Sequence, residues 1–406
     1  MATAVLLRLD RPADAAIRAW FRANPQVGGR DRAFVADTVF AVLRHLGRLE
    51  FLAQSRSPRK VVLSALVLLF GRHVRALQPH LRTDEGAWLA SIKERSAALP
   101  PHTRLSLPEW LYARLLVVYG AEETERIGLS LLEPAPLDLR VNTLLARRDE
   151  TIATLRASGI EASATAISPT GVRLRGKPSL ERHILFKSGH VEVQDEGSQL
   201  VALLAEPRRG QMIVDFCAGA GGKTLALGAM MRSEGRIYAF DTSERRLANL
   251  KPRLKRSGLS NVHPQLIDSE NDVRVKRLAG KIDSVLVDAP CSGTGTLRRN
   301  PDLKWRIDEP GVVELTVKQG AILRAAARLP KVGGRLVYAT CSLLPEENEM
   351  IVADFLTRSP GWKRVDVRPI LERFAVTVDG TDDTLRLLPH RHGTDGFFAA
   401  ILERTA

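Results

Sequence analysis

The sequence predicts an α/β protein: a mainly parallel sheet over residues 206–406, preceded by a small α+β module over 131–205 and an all-helical region over 1–130. Three observations predict it. Short apolar runs at Gln211 to Phe216, Arg236 to Asp241, Val262 to Asp268, Ile282 to Asp288 and Arg335 to Cys341 alternate with helical segments, the pattern of strands covered on both faces. Before residue 130 the apolar residues instead follow a period near 3.6. Between them, Glu133-Pro134-Ala135-Pro136 marks a boundary, and the chain beyond it alternates apolar and polar residues around one helix.

In the helical region, Phe34, Val35, Thr38, Val39, Val42, Leu43, Leu46, Leu49, Leu52 and Ala53 share one helical face, with Asp31 as the predicted N-cap. Ser57-Pro58 starts the next helix, and the run Val61 to Phe70, too short to span a bilayer, reads as buried. A further helix starts near Leu107-Pro108-Glu109, buries Trp110, Leu111, Leu115 and Val118, and closes at Tyr119-Gly120. In the middle module, Leu137 to Asn142 and Gly171 to Arg175 read as half-buried strands and Asp149 to Ser158 as a helix. Its exposed faces are expected to carry Arg140, Arg147, Arg148, Arg173, Arg175, Lys177 and Arg182, a basic set suited to RNA. The last strand-like run is Gly396 to Leu402.

Composition narrows the class. A net charge of +14, from 60 Lys and Arg against 46 Asp and Glu, favours a polyanionic partner, since each neutralised phosphate releases counterions. Three cysteines, none in a C-x-x-C pair, exclude a disulfide framework and argue against a zinc ribbon; no metal is expected. Free thiols fit a reducing compartment. The apolar run Ala4 to Leu7, interrupted by Arg8 and Asp10, is too short for a signal peptide. A cytoplasmic protein with no membrane partner is expected, and a monomer.

The chemistry gathers at strand ends. The first strand of the parallel set runs into Asp215-Phe216-Cys217-Ala218-Gly219-Ala220-Gly221-Gly222-Lys223-Thr224. Glycines at a strand-to-helix turn admit a ligand close to the backbone. A dinucleotide site would want a third glycine at position 224, and a P-loop wants more residues before Gly-Lys, so neither fits. Asp241 ends the second strand, where a carboxylate takes both hydroxyls of a ribose; Asp268 ends the third, within reach of an adenine edge; Asp288 ends the fourth. An edge this acidic suits a cationic adenosine ligand, S-adenosylmethionine, better than a phosphate.

Cys291 and Cys341 each sit just past a strand end, among small and polar residues, while Cys217 lies within the glycine loop and reads as a small core residue. A thiolate is needed where carbon 5 of a pyrimidine is to be methylated, because that carbon is a poor nucleophile until a thiolate adds at carbon 6.

At these residues the chain resembles the RsmB/Nop/NSUN (Fmu/Sun) family of RNA cytosine-5 methyltransferases. The resemblance rests on Val193-Gln194-Asp195-Glu196-Gly197-Ser198-Gln199, on the glycine loop, on Asp288-Ala289-Pro290-Cys291-Ser292-Gly293-Thr294-Gly295, and on Arg298-Arg299-Asn300-Pro301-Asp302. Tyr338-Ala339-Thr340-Cys341-Ser342, Pro345-Glu346-Glu347-Asn348 and His392-Gly393-Thr394-Asp395-Gly396-Phe397-Phe398 complete it, over residues 130–406. It implies a Rossmann-like class I methyltransferase domain with a mainly parallel seven-stranded sheet, an RNA-recognition module, and an N-terminal domain only partly NusB-like. It implies that Cys341 attacks carbon 6, that Cys291 helps break the adduct and release the RNA, and that Asp288 hydrogen-bonds the cytosine. Cys217, Ala218, Gly219, Ala220, Gly221, Gly222 and Lys223, with Asp241, Asp268 and Asp288, would hold S-adenosylmethionine, and Lys223 would face the active-site edge or an RNA phosphate. The implied substrate is rRNA, with tRNA as the alternative.

Two departures stand out. The family loop usually places a small residue and a proline where this chain has Gly219-Ala220, which removes a fixed φ from the turn. The first 130 residues match the NusB-like domain chiefly from Asp31 to Ala53. A DNA cytosine-5 methyltransferase would need a Glu-Asn-Val-type motif and a large insert that the chain lacks. A non-catalytic RNA-binding assembly factor of the same fold would be favoured by loss of Cys291, Cys341 or Asp288, and all three are present.

Overall fold

The computed structural model describes residues 1–95 and 99–406. The chain forms two compact units: Met1–Pro134 with Thr296–Glu309, and Ala135–Gly295 with Pro310–Ala406.

The first unit is helical. The apolar face predicted from Phe34 to Ala53 is there, with Val42, Leu43, Leu46, Leu49 and Leu52 buried, but it is carried by two helices, Gly29–Arg44 and Leu46–Ala53, which part at His45. The helix begins at Gly29 with Gly28 as its cap, so Asp31 is not the N-cap; it sits in the first turn, where a negative charge still meets the positive end of the helix. Pro58 opens the helix Pro58–Leu68 at the position where its missing N–H costs nothing. Helix Glu109–Leu131 breaks at Gly120 (φ 75°) and continues beyond it.

The segment Thr296–Glu309, which the sequence pattern leaves inside the C-terminal domain, packs in this unit. Trp305 Nε1 donates to the Leu43 carbonyl at 2.8 Å, Lys304 Nζ to the Arg44 carbonyl at 2.6 Å, and Asp302 Oδ2 accepts from the Ala13 amide at 3.2 Å. A Cβ on Gly47 would lie 2.9 Å from the Trp305 ring, so the helix approaches this segment only because residue 47 has none. Burial pushes the Lys304 ammonium pKa far below its usual value.

The second unit holds two sheets. Strands β1 (Leu137–Val141), β2 (Ala162–Ala164), β3 (Gly171–Leu174) and β4 (Val191–Val193) form an antiparallel sheet in the order β2-β3-β1-β4. The large sheet contains β5 (Met212–Asp215), β6 (Arg236–Asp241), β7 (Val262–Leu266), β8 (Ile282–Asp288), β9 (Pro330–Thr340), β10 (Trp362–Val365), β11 (Leu385–Leu387) and β12 (Phe397–Arg404). Its order is β10-β12-β9-β8-β5-β6-β7, with β11 paired to β12. The five strands β5 to β9 run parallel, and β10, β11 and β12 pair antiparallel. Period-two alternation divides each central strand between two cores: Leu286, Val337, Ala339 and Ile401 face one, Val285, Val287, Leu336, Tyr338 and Phe398 the other.

The chain leaves β5 toward β6 and β7, then returns so that β8 lies on the other side of β5. That reversal opens a crevice at the carboxyl ends of β5 and β8, where open α/β sheets bind ligands.

The expectation that Arg140 and Arg173 lie on an exposed RNA-facing surface does not hold. Strand β1 is central in its sheet and buried on both faces; Arg140 is 4% exposed, and its Nε donates to Gln194 Oε1 at 2.6 Å. Burial lowers its pKa to about 10. Arg173 is half-buried and forks onto Asp138, with both bonds at 2.8 Å. Arg148 is half-buried, whereas Arg147, Arg175, Lys177 and Arg182 are exposed. Alternation alone could not reveal a second covered face.

Candidate active site

The glycine loop is built by its backbone geometry. Gly219 (φ 57°) and Gly221 (φ 81°) both take left-handed conformations, and a Cβ on Gly221 would lie 2.1 Å from Leu250 Cδ1. Hydrogen bonds shape the rest of this turn. The Ala220 carbonyl accepts from Arg253 Nη1 at 2.6 Å, and the Gly221 amide donates to the Ala218 carbonyl at 2.8 Å. Asp241 completes it: Oδ2 accepts from the Gly219 amide at 2.8 Å and Oδ1 from the Ser243 amide at 2.7 Å. Each carboxylate oxygen keeps acceptor capacity for a further donor such as a ribose hydroxyl.

Beneath and beside the loop lies a cavity of about 480 Å³. Of the residues singled out from the sequence, it brings together Cys217, Ala218, Gly219, Ala220, Gly222, Lys223, Asp241, Asp288, Cys291 and Cys341. Gly221 caps the helix Gly222–Met230 behind this wall. Asp268 is not brought in. Strand β7 stops at Leu266, Asp268 is exposed, and Ile267 and Glu270 line the cavity in its place.

Three acids crowd this edge. Burial lifts the Asp215 carboxyl to a pKa of about 7, against a 2.6 Å hydrogen bond from Thr224 Oγ1 that favours the ion; the charge of Asp288 adds to the lift. Asp288 Oδ2 accepts from Lys223 Nζ at 2.7 Å. Burial alone would strip the Lys223 charge, yet its pKa is raised, because the Asp288 charge and hydrogen bond outweigh desolvation, with Cys341 and Asp215 adding to them. The same ammonium lies 5.5 Å from the centroid of the Phe397 ring. Asp215, Asp241, Glu270 and Asp288 line this cavity together with Lys223, Arg246, Arg253 and Lys318, and because Lys223 is paired with Asp288 and Arg253 with Glu192, the wall keeps carboxylates for a positively charged adenosine ligand.

Cys291 Sγ and Cys341 Sγ are 3.4 Å apart on the wall of this cavity. The Cys291 pKa is held well above the usual thiol value, first by its hydrogen bond to Cys341, then by burial. Burial, with the neighbouring acids, also drives the Cys217 thiol up, so it stays protonated in the cavity wall.

Several residues at this site were given no role from the sequence, although Gln194, Ser198 and Glu347 lie in motifs quoted for the resemblance. Arg246, Arg253, Gln194 and Ser198 line the cavity. The positions of the two arginines in the basic helix Glu244–Ser257, directly after β6, were the available signal. Glu347, fully buried, accepts from the Ser292 amide at 2.8 Å and Gln319 Nε2 at 3.0 Å, and from the hydroxyls of Ser292 and Ser342. Gln319 had no signal, lying mid-helix in Glu309–Ala326. Among the described residues, no group of three His, Cys, Asp or Glu side chains could hold a metal ion, and no helix is long and apolar enough to cross a membrane.

The chain and its fold have known counterparts. Residues 202–403 match the family described as 16S rRNA methyltransferase RsmB/F, and residues 107–181 match the ferredoxin-like domain of the same group. The chain is 37% identical over 303 residues to the probable ribosomal RNA small subunit methyltransferase B of Synechocystis sp., covering 74% of this chain and 67% of that one. It is 32% identical over 400 residues to the ribosomal RNA small subunit methyltransferase B of Sodalis glossinidius, covering 91% and 89%. The crystal structure of a protein named PH0851 superposes with a TM-score of 0.80 at 28% identity, covering 99% of this chain and 97% of that one.

Proposed function

Because the chain belongs to the RsmB/F family of S-adenosylmethionine-dependent RNA methyltransferases, we propose that it methylates carbon 5 of a cytosine in small-subunit rRNA through a covalent adduct with Cys341. The observation that carries this reading is the pair of thiols 3.4 Å apart, beside the Lys223–Asp288 ion pair, on the wall of one cavity.

The glycine loop, Asp241 and Asp288 would hold the cofactor, which would supply an electrophilic methyl group. The chain's own residues do the rest. The Cys341 thiolate adds to carbon 6 of the base, forming a C–S bond and placing electron density on carbon 5. The Lys223 ammonium, charged inside the site, lies on the same cavity wall as Cys341. It also fixes Asp288, whose other oxygen is free of Lys223 to orient the base through its polar edge. After carbon 5 is methylated, its proton passes to a water molecule acting as base, and the electron pair of that C–H bond forms the C5–C6 double bond as the C–S bond breaks, which restores the aromatic ring and returns the Cys341 thiolate. Cys291, held as a thiol against Cys341, assists that release. The exposed basic residues Arg147, Arg175, Lys177 and Arg182 add to the charge available for phosphates. Acting on rRNA, the protein works in the cytoplasm.

Two variants test the assignment. Cys341→Ala loses both methyl transfer and adduct formation, whereas Cys291→Ala accumulates a denaturant-resistant protein–RNA adduct when the cofactor is present. Bisulfite sequencing of rRNA and tRNA from a deletion strain identifies the target. A cytosine-5 methylation map unchanged in both RNA classes would overturn the assignment, and a change confined to tRNA would move the substrate.

A further inference from the structure

Neither the two-thiol chemistry nor the cofactor cavity uses Glu347, yet this carboxylate is the hub of a buried hydrogen-bond network that reaches both cysteine-bearing loops. It is fully buried, and burying an acid without partners is costly. Its Oε1 accepts from the Ser292 amide and Gln319 Nε2, and its Oε2 accepts from the hydroxyls of Ser292 and Ser342. Ser292 follows Cys291 and Ser342 follows Cys341. Gln319 Nε2 also donates at 2.9 Å to the carbonyl of Pro290, the residue before Cys291. The next residue, Asn348, accepts from the Thr340 hydroxyl and donates Nδ2 to the Ser342 carbonyl at 3.0 Å, so it holds both neighbours of Cys341. Tyr338 Oη secures the Glu347 carbonyl at 2.7 Å.

The residues flanking each cysteine are thus tied to one two-residue stretch, while the thiols meet each other across the cavity. A network whose only role was to fill the core could be replaced by apolar side chains at little cost. Here the donors come from the two cysteine-bearing loops. We propose that Glu347 is a positioning residue that clamps the two loops and sets the separation and orientation of Cys291 and Cys341. This rests on the two-thiol mechanism proposed for the site. The Glu347 charge also contributes, after Cys341 and burial, to keeping Cys291 protonated, so the clamp acts on thiol ionisation as well as on distance.

Glu347→Gln keeps the shape but replaces one acceptor oxygen with a donor and removes the charge; the serine hydroxyls can rotate to accept. The full-length variant is measured in three ways. Melting temperature and S-adenosylmethionine binding by calorimetry report the fold and are expected to stay near native. Turnover on RNA is expected to fall about 10²-fold, with KM for RNA within about threefold, the signature of misplaced reacting groups. Alkylation by iodoacetamide, followed by mass spectrometry at each cysteine in RNA-free protein, is expected to show the Cys291 profile displaced to lower pH, about tenfold faster at a fixed mildly alkaline pH. A Cys291 profile unchanged from native overturns the proposal, as does turnover within about threefold of native. If the native protein itself methylates no cytosine, the two-thiol mechanism fails, and the alkylation profile still decides for or against the clamp. Should Glu347→Gln not fold, the double variant Ser292→Ala, Ser342→Ala removes the two hydroxyl donors. With melting temperature and cofactor binding near native, its turnover on RNA is expected to fall with KM for RNA held, and turnover within about threefold of native overturns the proposal.

Discussion

Cys291 Sγ lies 3.4 Å from Cys341 Sγ, and the second thiol is the largest single reason the first stays protonated. Removing Cys341 therefore lowers the Cys291 pKa. Burial, the next cause, remains, so the value stays above the ordinary thiol value of about 8.5. In a Cys217→Ser background, the ultraviolet thiolate absorbance of Cys341→Ala is expected to rise at lower pH than the Cys291 signal of the parent. An inflection that stays in place or moves up would mean that the two thiols do not share a proton in solution.

The buried Lys223–Asp288 pair leads to a comparison of variants. Losing one partner of a buried pair costs about 3–5 kcal/mol, and because a third of the Asp288 side chain is exposed, about 1–3 kcal/mol is expected for Lys223→Met. The methionine keeps the packing of the stem but leaves Asp288 beside Asp215 and Asp241 without its cation. Adding Asp288→Asn removes the stranded charge, so the double variant is expected to recover part of the loss in urea midpoint. A double variant less stable than the single one would show that the pair is not the source of the stability. Methyl transfer is expected to be lost in both.

The parallel strands and most of the residues at their tips were legible in the sequence, because buried parallel strands read as uninterrupted apolar runs; their order in the sheet was not, since no local pattern says which strands are neighbours. Cys291, Cys341 and Asp288 could be expected at one crevice from their places at the carboxyl ends of parallel strands, the ligand edge of an open α/β sheet. Each feature that stayed hidden has its own physical cause. Asp268 lies two residues past the end of β7, and an exposed loop can turn its side chain away from the cavity without leaving a trace in the local pattern. Arg140 alternates like a surface residue, but the helix Glu196–Leu204 covers the second face of β1, and Gln199 Nε2 reaches the Leu139 carbonyl at 3.2 Å. Packing of Thr296–Glu309 in the helical unit depends on contacts far apart in the chain, such as Trp305 to Leu43, which no local window contains. Glu347 lay inside a motif already noted, but only the fold brings it to both serines.

The contrast between Asp241 and Asp268 can be measured directly. Asp241 uses both oxygens to shape the loop and still faces the cavity. Asp241→Asn offers one acceptor where two backbone amides donate, so one amide loses its bond and any ribose hydroxyl loses a charged acceptor. Bonds to a charged group contribute about 1.5–3 kcal/mol each, which predicts a loss of about 10- to 100-fold in S-adenosylmethionine affinity. Asp268→Asn, outside the cavity, is expected to change affinity less than about twofold. Calorimetric titration of both variants decides; equal losses would return Asp268 to the binding site.

Asp215 predicts a pH dependence of the opposite sign to that of an ordinary paired carboxylate. Its folded pKa of about 7 lies above the ordinary value of 3.8 because burial opposes the ion. Between pH 4 and 7, roughly, the folded chain holds a proton that the unfolded chain has released, so stability falls as pH rises through that window. Above it the penalty is fully present; below it the penalty vanishes. Asp215→Asn cannot ionise and can still accept the Thr224 hydroxyl. In cofactor-free protein it is expected to match the parent near pH 4 and to exceed it by about 1–3 kcal/mol near pH 8. Urea midpoints across this range test the sign: a difference that stays constant with pH would show that Asp215 is already ionised in the folded chain, with water or a neighbouring donor satisfying the oxygen that has no partner here.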